Sequence, residues 1–267
     1  YENKYYKYED PEYSITQTPL NEQDLKTMSE AVEVLRQFKG FSYFTEMSDI
    51  INRLEDHVAS ARMKTTPIID FEKNESLKGL DYLDTIYHAI VNEHPIQLKY
   101  RSFKARSANS FIFYPYLLKE YRNRWFVYGV RGNGRILQNL ALDRIQSLEV
   151  LPQEHYIKNT FFDPNTFFDD LVGVTKNSGS VAEKIGFKVA AAEAPYIITK
   201  PIHRSQQVVE RLADGSVILE IEVVINHELE RVFFGYAEGI QVLYPKTLVE
   251  LMGRKLKKAA EQYTHSK

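Results

Sequence analysis

From Asn21 onward the apolar positions fall at helical spacing: Leu25, Met28, Val32 and Leu35 recur every three or four residues. Asn21 supplies an N-cap and Asp24 a charge suited to the first turn. A second helix is predicted over 43–58, and residues 59–78, with Pro67, form a connector. Residues 1–20 show no period and make an irregular arm. A third helix is predicted over 81–92, ended by His94-Pro95, because the residue before a proline is pushed out of helical geometry.

The apolar period then drops to two. Strands are predicted over 96–102, 110–118, 124–131, 135–142 and 145–151. Gly132-Asn133-Gly134 between the third and fourth accept positive φ and signal a tight hairpin. Five short strands in so little chain predict a small closed β-barrel. A short helix is expected over 163–174, with Asp163 as cap and Pro164 at its first position. After a flexible Asn177–Ser180, the pattern is strand 184–191, helix 192–200, strand 204–211, strand 216–225, helix 227–238, strand 240–244 and helix 246–263. That order, βαββαβ with one helix appended, is the ferredoxin-like arrangement. The expected class is α+β. The expected domains are an N-terminal arm and helical connector over 1–78, a barrel over 79–152, a linker over 153–180 and a ferredoxin-like domain over 181–267.

Composition changes little until charge is split along the chain. The net charge of the 267 residues is −2. Residues 1–95 carry 10 Lys and Arg against 18 Asp and Glu, whereas residues 96–145 carry 10 against 2. The predicted barrel is therefore strongly basic inside a near-neutral chain, an asymmetry that concerns partners rather than fold. The absence of cysteine removes disulfides and thiolate chemistry and fits a reducing cytoplasm. No signal peptide opens the chain, and no apolar run approaches the roughly 18 residues of a membrane helix. The first residue is Tyr1, not Met, so the chain is expected to be part of a longer protein.

Catalytic patterns fail. His227-Glu228 begins like a zinc-protease motif, but Arg231 stands where the second histidine ligand is needed. The seven histidines lack ligand spacing, and the Gly-rich turn at 129–134 has no helix after it to cradle a phosphate. Asp169 and Asp170 fall at the end of a predicted helix, on a solvated face. No catalytic residue, metal or cofactor is expected, and weight shifts to binding.

Alternation puts Trp125, Val127, Gly129 and Arg131 on one face of their strand and Arg124, Phe126, Tyr128 and Val130 on the other. Gln138, Leu140, Leu142 and Arg144 would share a face, as would Lys99, Arg101 and Phe103. Arginine offers a rigid fork of donors that fits phosphate, and aromatic faces stack bases. The expected ligand site is Tyr100, Arg101, Arg124, Trp125, Phe126, Arg131, Gln138 and Arg144, taking a nucleotide or a short single strand.

These same residues resemble a WYL domain, an Sm-like small β-barrel. The family's Trp-Tyr-Leu is matched by Trp125-Phe126-Val127, its first-strand tyrosine by Tyr100, its second-strand proline by Pro115, and its Leu-Asp-Arg-Ile by Leu142 to Ile145. Residues 203–210 and 239–252 resemble the C-terminal extension that follows such domains in bacterial transcription regulators, so the resemblance covers about 79–267. It implies the ligand-sensing and dimerisation part of a regulator, a homodimer whose promoter DNA is met by an upstream helix-turn-helix not in this chain. It marks Tyr100, Trp125 and Arg144 as the leading ligand residues. Two departures change the site: Phe126 lacks the family tyrosine's phenolic donor, and Gln138 stands where many members carry arginine. A stand-alone nucleic-acid-binding module is the alternative, and a nucleotide-processing enzyme a weaker one.

Overall fold

The structure, a computed structural model, describes residues 78–132, 134 and 136–264. All of them lie in the second of the two units into which the chain divides, Leu77–Lys267. The helices predicted between residues 21 and 58, and Arg135, fall outside the described residues.

Gly79, in the left-handed conformation at φ 84°, leads into a 3-10 turn, Leu80–Tyr82, and then helix α1, Leu83–Val91. Leu83, Ile86 and Ala89 are buried at three-residue spacing, the stripe expected of a helix with one face on a core. Five antiparallel strands follow: β1 Ile96–Tyr100, β2 Asn109–Tyr121, β3 Arg124–Arg131, β4 Leu137–Ala141 and β5 Ile145–Val150. Helix α1 packs on β2.

The strand order is β4-β3-β2-β1-β5, so the expected closed barrel is not formed. The two edge strands are consecutive in sequence and are joined by a single 3-10 turn, Leu142–Arg144. Three such residues rise about 6 Å, so the edges must converge at that corner. The turn itself fills the gap where a closing ladder would start. The alternation expected beyond the strands fails for the same reason: Arg101 and Phe103 lie past the end of β1, and Leu142 and Arg144 lie in the turn.

The sheet is covered on its other face by aromatic residues. Tyr114, Tyr116 and Val130 pack with Tyr156, Ile157, Phe161 and Phe162. The helix expected over 163–174 is a run of turns instead. Asp163 does accept from the Asn165 amide at 2.9 Å, as a cap would. The phenylalanines on either side of this cap do not share one helical stripe, because Phe162, Phe167 and Phe168 all close around Tyr128 within 5.3–6.2 Å between ring centroids. Docking those rings takes precedence over helical geometry.

The next segment, Asp170–Lys176, is held from both sides. From the first sheet, the Tyr128 hydroxyl and Asn139 Nδ2 both donate to the Val174 carbonyl, the latter at 2.6 Å. From the second domain, Asn226 Nδ2 donates to Val172 O at 3.0 Å and Thr175 O at 2.9 Å. Thr175 Oγ1 donates to buried Glu228 at 2.7 Å, and the Val224 amide donates to Asp170 O at 2.8 Å.

The second domain runs β6 Glu183–Val189, α2 Ala194–Thr199, β7 Gln207–Arg211, β8 Val217–Val223, α3 His227–Gly235, β9 Ile240–Tyr244 and α4 Lys246–Thr264. Its antiparallel sheet has the order β7-β8-β6-β9. In β6 and β8, Ile185, Phe187, Val189, Leu219, Ile221 and Val223 alternate inward and form the core with Ile197, Leu229, Phe233, Leu248 and Met252. Asn226 caps α3 by accepting from the Leu229 amide at 2.9 Å. The acids of the failed zinc-like motif have structural partners: Glu228 takes Thr175, and Glu230 pairs with Lys255.

His203 links this domain to the aromatic segment. Its Nδ1 lies 2.8 Å from Ser205 Oγ, and its neighbour Arg204 pairs with Asp169 at 2.7 Å. Burial, helped by the Arg204 charge, pushes the imidazole below its ordinary value, against the opposing pull of Asp169 and Asp170. The unfolded chain therefore binds the proton first. The contribution of His203 to stability is present above about pH 6.5 and is lost as pH falls through the lower folded value. The expected result is that the urea midpoint falls more between pH 7.5 and pH 5.5 in the wild type than in His203→Gln. Equal falls would refute it.

Candidate functional site

The structure sorts the eight expected ligand residues into two places. Tyr100, Arg101, Arg124, Trp125, Phe126 and Arg144 gather at the corner where β1 ends, β3 begins and the Leu142–Arg144 turn joins the sheet edges. A bulge between Lys99 and Tyr100 brings Tyr100 opposite Ile145, and the Arg101 amide donates to Arg144 O at 3.1 Å. Phe126 pairs with Ala141, which puts Trp125 beside the turn. Arg131 and Gln138 are at the other end of the hairpin. Gln138 pairs with Gly129, and Arg131 is seven residues from Arg124, about 23 Å along the strand. Arg131 covers the Phe111 ring there, at 4.1 Å from its centroid. The expected ring of arginines around Trp125 is thus a cluster of three, with Arg124 on the opposite face of β3 from the indole.

One carboxylate sits between two of the three, Arg124 and Arg144. Arg124 Nε is 3.3 Å from Asp143 Oδ2, and Arg144 Nε is 3.9 Å from Asp143 Oδ1. The Asp143 side chain is 14% exposed. The Arg144 guanidinium also lies over the Phe103 ring at 4.5 Å, while Phe103 itself is 72% exposed. Arg101, Lys104 and Arg106 are exposed on the β1–β2 loop, so the corner keeps an excess of positive charge after Asp143 is counted. Burial pushes the Tyr100 phenol above its ordinary value, with the Arg144 guanidinium and the Ala141 backbone partly offsetting it. The phenol is therefore neutral and available as a donor.

Sequence reasoning passed over three of these residues. Asp143 was legible only as a letter of Leu-Asp-Arg-Ile, Phe103 only as an aromatic beside Arg101, and Gly79 as the first residue of the domain. What places them is the turn that joins β4 to β5.

What the corner can do is hold an anion bearing several acceptor oxygens, with aromatic surface at hand on Trp125 and Phe103. Among the described residues no group of three metal-ligating side chains occurs, and no helix is long and apolar enough to cross a membrane.

Among curated proteins, none matches the chain. The solved structures similar to it include the proteasome accessory factor PafBC of Arthrobacter aurescens, with 15% identity and a TM-score of 0.29, over 72% of this chain and 28% of that one. They also include a CRISPR Cas-related protein, with 13% identity and a TM-score of 0.45, over 94% of this chain and 75% of the other. The chain thus spans 28% of the PafBC chain. Family models match at residues 81–150, the WYL domain, and at residues 182–260, the WCX domain. The chain carries a WYL domain followed by a WCX domain.

Proposed function

We propose that this chain is the ligand-sensing and dimerisation region of a bacterial transcription regulator, acting in the cytoplasm as a homodimer and not as an enzyme. Its effector is nucleotide-like, or a short single-stranded nucleic acid, and it is taken by the corner of the WYL sheet. Promoter DNA is contacted by a helix-turn-helix of the kind that WYL regulators carry. The observation that carries this reading is the convergence of Arg124 and Arg144 on Asp143 at one turn, with the Arg101 backbone bonded to that turn. Arg131 and Gln138 lie too far away to share a small ligand with Arg144 and are left out of the site. A long strand could still reach them.

The test is binding of a 5′-phosphorylated single-stranded oligonucleotide at several salt concentrations. Three phosphate contacts on a single strand give a slope of log affinity against log salt near about −2. Arg144→Ala is expected to weaken binding roughly tenfold and to flatten that slope by about 0.7. Unchanged affinity in a folded Arg144→Ala protein would remove the corner as the ligand site.

A further inference from the structure

The two arginines the ligand needs already face an anion. Asp143 offsets one of the two positive charges of Arg124 and Arg144 and leaves Arg144 unsatisfied: its buried Oδ1 and the buried Arg144 Nε have no hydrogen-bond partner, and the 3.9 Å between them is too long for one. A phosphate, with more oxygens and a wider spread of lone pairs, can serve both guanidinium groups at once. The turn bearing Asp143 is also in direct backbone contact with Gly79. A Cβ at Gly79 would lie 2.5 Å from Leu142 O and 2.7 Å from the Asp143 amide nitrogen. No side chain cushions that contact, so movement of the turn is felt by the backbone at the domain's first residues.

On the reading of this corner as a phosphate site, we infer that Asp143 is its resident anion. It holds the arginine pair until a ligand phosphate displaces it, and the displaced Leu142–Arg144 turn shifts the backbone at Gly79. Asp143 thereby sets the threshold of the sensor, and Gly79 passes occupancy toward the N-terminal residues of the chain.

The experiment titrates the whole chain with a 5′-phosphorylated oligothymidylate and, separately, with inorganic pyrophosphate, following the fluorescence of Trp125. Asp143→Asn keeps the shape and removes the charge; Asp143→Ser is a second variant in case the first misfolds. Both are expected to bind about tenfold more tightly than the wild type, the size of effect that releasing a partly buried ion pair allows. Amide exchange over residues 78–84 is expected to change when the wild type is saturated. Tightening toward both probes supports a gate for any phosphate, and tightening toward the oligonucleotide alone a gate for nucleotide-borne phosphate. Folded variants that bind no more tightly than the wild type would overturn the gate and leave the ligand site standing. Unaltered exchange at 78–84 would overturn the transmission through Gly79. Failure of all three proteins to bind either probe would overturn the ligand reading and the gate with it.

Discussion

Asn226→Asp is expected to destabilise the protein by about 3 kcal/mol, although it preserves the cap of α3. Asn226 is buried and does two things. Its Oδ1 accepts from the Leu229 amide, and its Nδ2 donates to two carbonyls, Val172 O and Thr175 O. Aspartate retains the first function, since a carboxylate at a helix N-terminus is favourable. It reverses the second, because an anionic oxygen then faces two carbonyl oxygens in a buried site, close to buried Glu228. Asn226→Ala loses both functions and leaves the Val172 and Thr175 carbonyls without their donor. Its cost is expected to be similar, with about 1 kcal/mol of it from the cap. Urea denaturation of both variants decides the matter. An Asn226→Asp protein within 1 kcal/mol of the wild type would show that capping, and not the grip on residues 172–175, is what Asn226 contributes.

Gly129→Ala is expected to cost about 3 kcal/mol, at the upper end of overpacking penalties. The added methyl would fall inside contact distance of the Tyr114 carbonyl oxygen and 2.6 Å from Phe113 Cε1. Neither can give way. The first is sheet backbone beside a bulge at Tyr116, and the second belongs to a fully buried ring. Gly129 also pairs with Pro115, whose missing N–H already weakens the ladder there. Gly253→Ala is the control: it lies within α4 with open space around it, so the same change should stabilise by up to about 1 kcal/mol. If the two substitutions had equal effects on the denaturation midpoint, the close approach at Gly129 would carry no cost.

The regular elements were legible because their residues carry local signals. His94-Pro95 ended α1 as expected, and the predicted strand 216–225 and helix 227–238 enclose the observed β8 and α3. What escaped was whatever depends on distant backbone. Nothing in Val172 or Val174 marks them as acceptors from Tyr128, Asn139 and Asn226, because the atoms used are carbonyls that every residue has. Asp163 and Pro164 suggested a helix, but the rings of Phe162, Phe167 and Phe168 answer to Tyr128. The site was legible by composition and misjudged by geometry. Counting charge found the arginines, and the expected strand over 124–131 already set Arg131 seven residues from Arg124, but alternation could not say that a turn brings Arg124 and Arg144 to Asp143.

The double grip on Asp170–Lys176 has a mechanical result. The first sheet holds the Val174 carbonyl and the second domain holds those of Asp170, Val172 and Thr175, so a rotation of either sheet pulls on neighbouring peptide groups of one short segment. A twist of one domain against the other is therefore resisted within seven residues, so the segment works as a short splint between them and not as a free linker.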